Sequence, residues 1–122
     1  MKASIVIANY NNSNFIEECI NSINSQTYKD IEIIFFDDNS KDNSIDIIKK
    51  FTNIKVIQNK IQTKYGSLNQ MNAFKKSVEL STGDIIFFLD SDDYFKKDKV
   101  EKIINFFLEN KKKKIVFDSP II

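Results

Sequence analysis

Short apolar runs alternate along the chain with stretches of helical period. Ile5-Val6-Ile7-Ala8 is apolar at successive positions, so a strand built from it needs cover on both faces, as in the interior of a parallel sheet. The cap-forming cluster Asn11-Asn12-Ser13-Asn14 follows, and Phe15, Ile16, Cys19, Ile20 and Ile23 then recur at the spacing of one helical face. Ile31 to Phe36 predicts a second strand ending in Asp37-Asp38-Asn39-Ser40, after which Ile45, Ile47, Ile48 and Phe51 mark a second helix. Ile54 to Ile57 reads as a short third strand. Leu68, Met71, Phe74 and Val78 mark a third helix, which Ser81-Thr82-Gly83 closes with glycine where a helix C-terminus favours it. Asp84 to Leu89 predicts a fourth strand, Val100, Ile103, Ile104, Phe107 and Leu108 the clearest helical stripe, and Lys114 to Phe117 a fifth strand.

Such alternation predicts an open α/β sheet, because parallel neighbours need a helix-length crossover between them. Ligands of these sheets bind beyond the carboxyl ends of the strands, where strand order reverses. Here those ends are polar: Asn9-Tyr10-Asn11, Asp37-Asp38-Asn39-Ser40 and Asp90-Ser91-Asp92-Asp93. If the three strands are neighbours, five carboxylates crowd one rim, an arrangement that a hard divalent cation relieves. Asp90 and Asp92, two positions apart after an apolar strand, can project from one side of a turn towards a shared ion. The alternative is that Asp92 or Asp93 caps a helix beginning near Lys96 or Lys97. Asp37-Asp38 likewise supports two readings. It can be a turn before a cap at Ser40 or Asp42, with Asn39 in a left-handed conformation, or a carboxylate accepting a hydrogen bond from a uracil imide, with Tyr10 as an aromatic surface. Lys60 and Lys64 follow the third strand, either as solvated lysines or on a loop over a pyrophosphate.

Composition narrows the chemistry. The 122 residues suffice for one domain, and 18 basic against 17 acidic residues give no electrostatic case for wrapping nucleic acid. The absence of histidine removes the commonest general base and imidazole metal sites. All 18 basic residues are lysine, so a polyphosphate must be met by metal, lysine or backbone N–H groups. The lone Cys19 excludes an internal disulfide, reads as a core residue and fits a reducing, cytoplasmic compartment. Only Gly66 and Gly83 occur, too few for a dinucleotide fingerprint or a P-loop. A phosphoacceptor receiver domain has the right length and alternation, but it needs acids after the first and third strands, where this chain has Asn9-Tyr10 and Gln58-Asn59.

In order and detail the segments resemble the nucleotide-binding half of family 2 glycosyltransferases, the large inverting group with the GT-A fold. Ser4 to Asn11 looks like the family's opening strand, Ile20 to Tyr28 like its "S-I-x-x-Q-T" helix end, and Asp37-Asp38-Asn39-Ser40 like "D-D-G-S" with Asn for Gly. Asn69 to Ala73 matches the segment containing "N-A", and Gly83-Asp84 through Leu89-Asp90-Ser91-Asp92-Asp93 matches the D-x-D signature.

The resemblance implies an open, mostly parallel, twisted, Rossmann-like sheet with helices on both faces, and a nucleotide-diphosphate sugar, uridine-based, as ligand. It implies that Ala8, Tyr10 and Asp38 line the nucleoside pocket, with Asp38 near the base. Asp90 then faces the ribose or sugar, with Ser91 and Lys64 also on the donor side. Asp92 holds Mn²⁺ or Mg²⁺, with Asp93 as its substitute. Family members continue beyond the D-x-D strand into an acceptor-binding half that supplies the catalytic base, and no residue here matches that base. The expectation is therefore a single donor-binding domain over residues 1–122, truncated after about five strands and suited to donor binding more than to turnover alone. A non-catalytic interaction module derived from such a domain is the alternative. The apolar C-terminal segment predicts self-association through an uncovered sheet edge. The basic run Lys111 to Lys114 is either a solvated helix end or a surface for anionic lipid, the latter suiting a glycan or lipid-linked glycan acceptor at the inner membrane face.

Overall fold

The computed structural model describes residues 1–60 and 64–112. Four strands alternate with four helices: β1 (Ala3–Asn9), α1 (Ser13–Asn24), β2 (Ile31–Asp37), α2 (Ser44–Ile48), β3 (Ile54–Gln58), α3 (Gly66–Leu80), β4 (Ile85–Asp90) and α4 (Lys99–Glu109). The strands form one parallel sheet in the order β3-β2-β1-β4. The predicted α/β architecture is therefore the observed one. The fifth strand predicted over Lys114 to Phe117, and the C-terminal edge with it, lie outside the described residues. Strand order reverses at β1, which has β2 on one side and β4 on the other.

Side chains alternate across the strands, so each strand feeds two layers. Ile5, Ile7, Ile33, Phe35, Phe87 and Leu89 join Ile16, Ile20 and Ile23 of α1, Ile48 of α2, and Val100 and Ile104 of α4 in one continuous core. Each large side chain fully withdrawn from water there contributes about 1.5–3 kcal/mol. The opposite face carries Val6, Ile34 and Phe36, all fully buried, and α3 crosses β1 and β2.

Two local expectations need correction. First, α3 buries Asn69, Ala73 and Ser77, at i, i+4 and i+8, whereas Leu68, Met71 and Val78 of the expected apolar stripe are exposed. Small residues let the helix approach the bulky face of β1 and β2. The stripe is turned aside, and its Phe74 meets Phe88 of β4 with ring centroids 4.7 Å apart. Second, Gly83 is not a left-handed cap, since no glycine has positive φ and α3 ends at Leu80. It is required by close approach: a Cβ there would lie 2.4 Å from Ser4 Oγ and 2.8 Å from Ser4 N. The alternative in which Asp92 or Asp93 caps α4 is removed, because α4 begins at Lys99 behind the N-cap residue Asp98. No described helix is long and apolar enough to cross a membrane.

Candidate functional site

The carboxyl ends of β1, β2 and β4 meet at one rim. β1 ends at Asn9, in register with Asp37 of β2, and Ala8 is in register with both Phe36 and Asp90. Neighbouring strands lie about 4.8 Å apart, so the ends of β2 and β4, flanking β1, are separated by about 10 Å.

On the β2 side, Asp37 is buried and accepts from the Asn9 Nδ2 at 2.8 Å, the Ser40 hydroxyl at 2.6 Å and the Ser40 backbone N–H at 3.0 Å. The turn is completed by Asn39 at φ 56°, the left-handed conformation expected of it, and Asn11 adopts the same conformation at φ 53°. Asn11 closes against this turn, its N–H donating to Ser40 Oγ and its Oδ1 accepting from the Lys41 N–H. Asp42 serves the helix starts, accepting from the backbone N–H groups of Ser13 and Ser44. Burial opposes its charge, but those bonds and the Ser44 hydroxyl hold its carboxyl below the ordinary range. Asp38 is half-buried. Its N–H donates to Asn9 O, and its Oδ1 accepts from Asn59 Nδ2 at 2.9 Å, which ties it to the end of β3. Tyr10, next to Asn9 in sequence, is 48% exposed.

On the β4 side, the Ser91 N–H donates to Ala8 O and the Asp93 N–H to Asp90 O, so the chain turns sharply after β4. This turn brings carboxylate oxygens of Asp90, Asp92 and Asp93, all exposed, within 4.8 Å of one another. Burial first, then the charges of Asp92 and Asp93, push the Asp90 carboxyl above the usual aspartate range. Three hard oxygen donors in mutual repulsion at an accessible turn fit a divalent cation with open positions. Ser91 is fully buried between them, its hydroxyl donating to Asn9 Oδ1 at 2.7 Å and accepting from Asn12 Nδ2 at 3.1 Å. Beneath the turn, burial and then the same aspartates push the Cys19 thiol up to about 12, so it stays protonated and inert, a core residue as expected.

Ala8, Tyr10, Asp38, Asp90, Ser91, Asp92 and Asp93 thus all lie on this rim. Lys64 lies apart from these contacts: it is exposed on the segment after β3, its ammonium 5.2 Å from the Tyr65 ring centroid. Sequence reasoning placed Asn9 on the rim and Asn12 in a capping cluster but missed the bonds that they and Asn59 make there. The signal for Asn9 was a polar residue ending an otherwise apolar strand.

A family model, glycosyl transferase family 2, matches residues 4–121. The chain belongs to glycosyl transferase family 2. It is 37% identical over 112 residues to an uncharacterized glycosyltransferase of Nostoc sp., covering 88% of this chain and 33% of that protein. It is 40% identical over 103 residues to the UDP-Glc:alpha-D-GlcNAc-diphosphoundecaprenol beta-1,3-glucosyltransferase WfaP of Escherichia coli, covering 84% of this chain and 40% of that one. The crystal structure of S. aureus TarS 1-349 in complex with UDP-GlcNAc superimposes with a TM-score of 0.76 at 29% identity, over 89% of this chain and 32% of that one. The chain therefore spans less than half the length of these relatives.

Proposed function

We propose that the rim binds a nucleotide-diphosphate sugar, with UDP as its nucleotide, and that residues 1–122 form a single donor-binding domain for inverting glycosyl transfer. Ala8, Tyr10 and Asp38 receive the nucleoside, Asp38 accepting from the base imide N–H and Tyr10 lending its ring face. Asp90 stands on the ribose and sugar side with Ser91 buried behind it, and Lys64 approaches the diphosphate from the segment after β3. Asp92, with Asp93 beside it, would hold Mn²⁺ or Mg²⁺. A cation there would supply charge neutralisation to the departing diphosphate, a role that no arginine of this chain can take.

One observation carries this reading: Asp38 and the Asp90, Asp92 and Asp93 cluster lie at the same ends of strands flanking β1, a separation matched to a nucleotide rather than to a single ion. The TarS complex with UDP-GlcNAc and the UDP-Glc donor named for WfaP support the ligand class. The diphosphoundecaprenol acceptor named for WfaP supports a lipid-linked glycan as acceptor, and with it work at the cytoplasmic face of a membrane.

Calorimetric titration of UDP with and without Mn²⁺, on the wild-type chain and on Asp92→Ala, tests the reading. Affinity rises with the ion in the wild type, and the substitution abolishes the rise. Equal affinity under both conditions overturns it.

A further inference from the structure

We infer that Asn9 is a positioning residue that couples the nucleoside side of the rim to the metal side, setting the turn that gathers Asp90, Asp92 and Asp93. The inference rests on the donor-binding reading above. Asn9 is 2% exposed, yet every polar atom of its side chain is used. Its Nδ2 donates to Asp37 Oδ1 at 2.8 Å and to Ser40 Oγ at 3.2 Å. A carboxylate accepts only, so the amide is locked in one orientation and Oδ1 must face the β4 turn. There it accepts the Ser91 hydroxyl at 2.7 Å.

Ser91 is the residue between two of the clustered aspartates, and its proton has one direction available. Asn12 Nδ2 donates to the same oxygen, so the hydroxyl hydrogen is directed to Asn9. The relay Asp37–Asn9–Ser91 thus runs across three neighbouring strands beneath the rim, from the residue before Asp38 to the residue before Asp92. It holds the carboxylate turn against its own repulsion in the closed form a cation needs. Residues that orient metal-binding side chains without touching the ion commonly change metal affinity by about 10–100-fold when removed.

Asn9→Ala leaves Asp37 with both of its bonds from Ser40, and Ser91 with Asn12. The test reads the ratio of UDP affinity with Mn²⁺ to that without, in wild type, Asn9→Ala, Ser91→Ala and the double variant, with melting temperature measured alongside. The ratio falls about tenfold in Asn9→Ala, by a similar factor in Ser91→Ala, and no further in the double variant, because both break one relay. A merely structural Asn9 lowers the melting temperature and leaves the ratio at the wild-type value, and that result overturns the inference. If Asn9→Ala does not fold, Ser91→Ala, which spares the Asp37 turn, decides alone: an unchanged ratio refutes the relay. A wild-type chain with no Mn²⁺ dependence refutes the donor-binding reading and the relay together, whereas a wild-type dependence retained by the variants refutes only the relay.

Discussion

Glu32 is a charged residue on β2 whose carboxylate is only 9% exposed, and it is stabilised by donors from every other strand region. The Ser4 hydroxyl, the Thr82 N–H and hydroxyl, and the Lys55 ammonium all donate to it. Burial alone would raise its pKa, but these bonds outweigh it and hold the carboxyl well below the ordinary glutamate range. A carboxylate lowered in the folded state stabilises the fold above its unfolded pKa, about 4.3, and loses that contribution as pH falls through the folded value. Glu32→Gln is therefore expected to cost about 1–3 kcal/mol at pH 7 in urea unfolding, with the gap to wild type narrowing below about pH 4.3. A gap independent of pH would refute this. Nearby, Gly83→Ala forces a methyl group into Ser4, and a loss of about 1–3 kcal/mol is expected by the same measurement. Neither role was legible in the sequence, because Glu32 and Gly83 acquire their partners only when β1, β2 and β4 align. Asn39 was legible, since its left-handed turn is set by its immediate neighbours.

The strands and helices themselves were legible wherever periodicity is local. The four strands within the described residues appear where apolar runs predicted them, and α1 buries Ile16, Cys19, Ile20 and Ile23 as its spacing required. The sequence could not say which way α3 turns, because its apolar stripe and its small face compete and the bulk of β1 and β2 decides. β4 poses the same problem, since Ile85 to Leu89 are all apolar and nothing local marks the more covered face. In the structure Phe87 is 7% exposed and Phe88 52%. Phe87→Ala is expected to cost about 3–5 kcal/mol, as a core truncation. Phe88→Ala should cost about 0.5–1.5 kcal/mol, the value of its pairing with Phe74. Comparable losses at the two positions would mean that β4 is covered equally on both faces.

At the scale of the whole molecule, the meeting of three polar segments far apart in sequence was legible, because a parallel sheet carries the end of every strand to one side. The relay beneath them was not, since Asn9 and Ser91 are 82 residues apart and their bond depends on strand order. That relay holds together a cluster whose charges oppose one another, and such an arrangement costs stability when no cation is bound. Asp93→Asn removes one of the two charges that raise the Asp90 pKa while preserving the side chain's size. In metal-free buffer this variant is expected to melt higher than wild type by a few degrees, for roughly 0.5–1 kcal/mol of relieved repulsion. On the proposed cation site, adding Mn²⁺ should reverse the ranking, because a ligand at about 100 times its dissociation constant stabilises the folded state by about 2.7 kcal/mol, and the variant would bind the ion less well. Thermal melts of both chains in EDTA and in excess Mn²⁺ check this. If the variant melts lower than wild type in EDTA, the cluster is not under charge strain, and no repulsion at this rim calls for a cation.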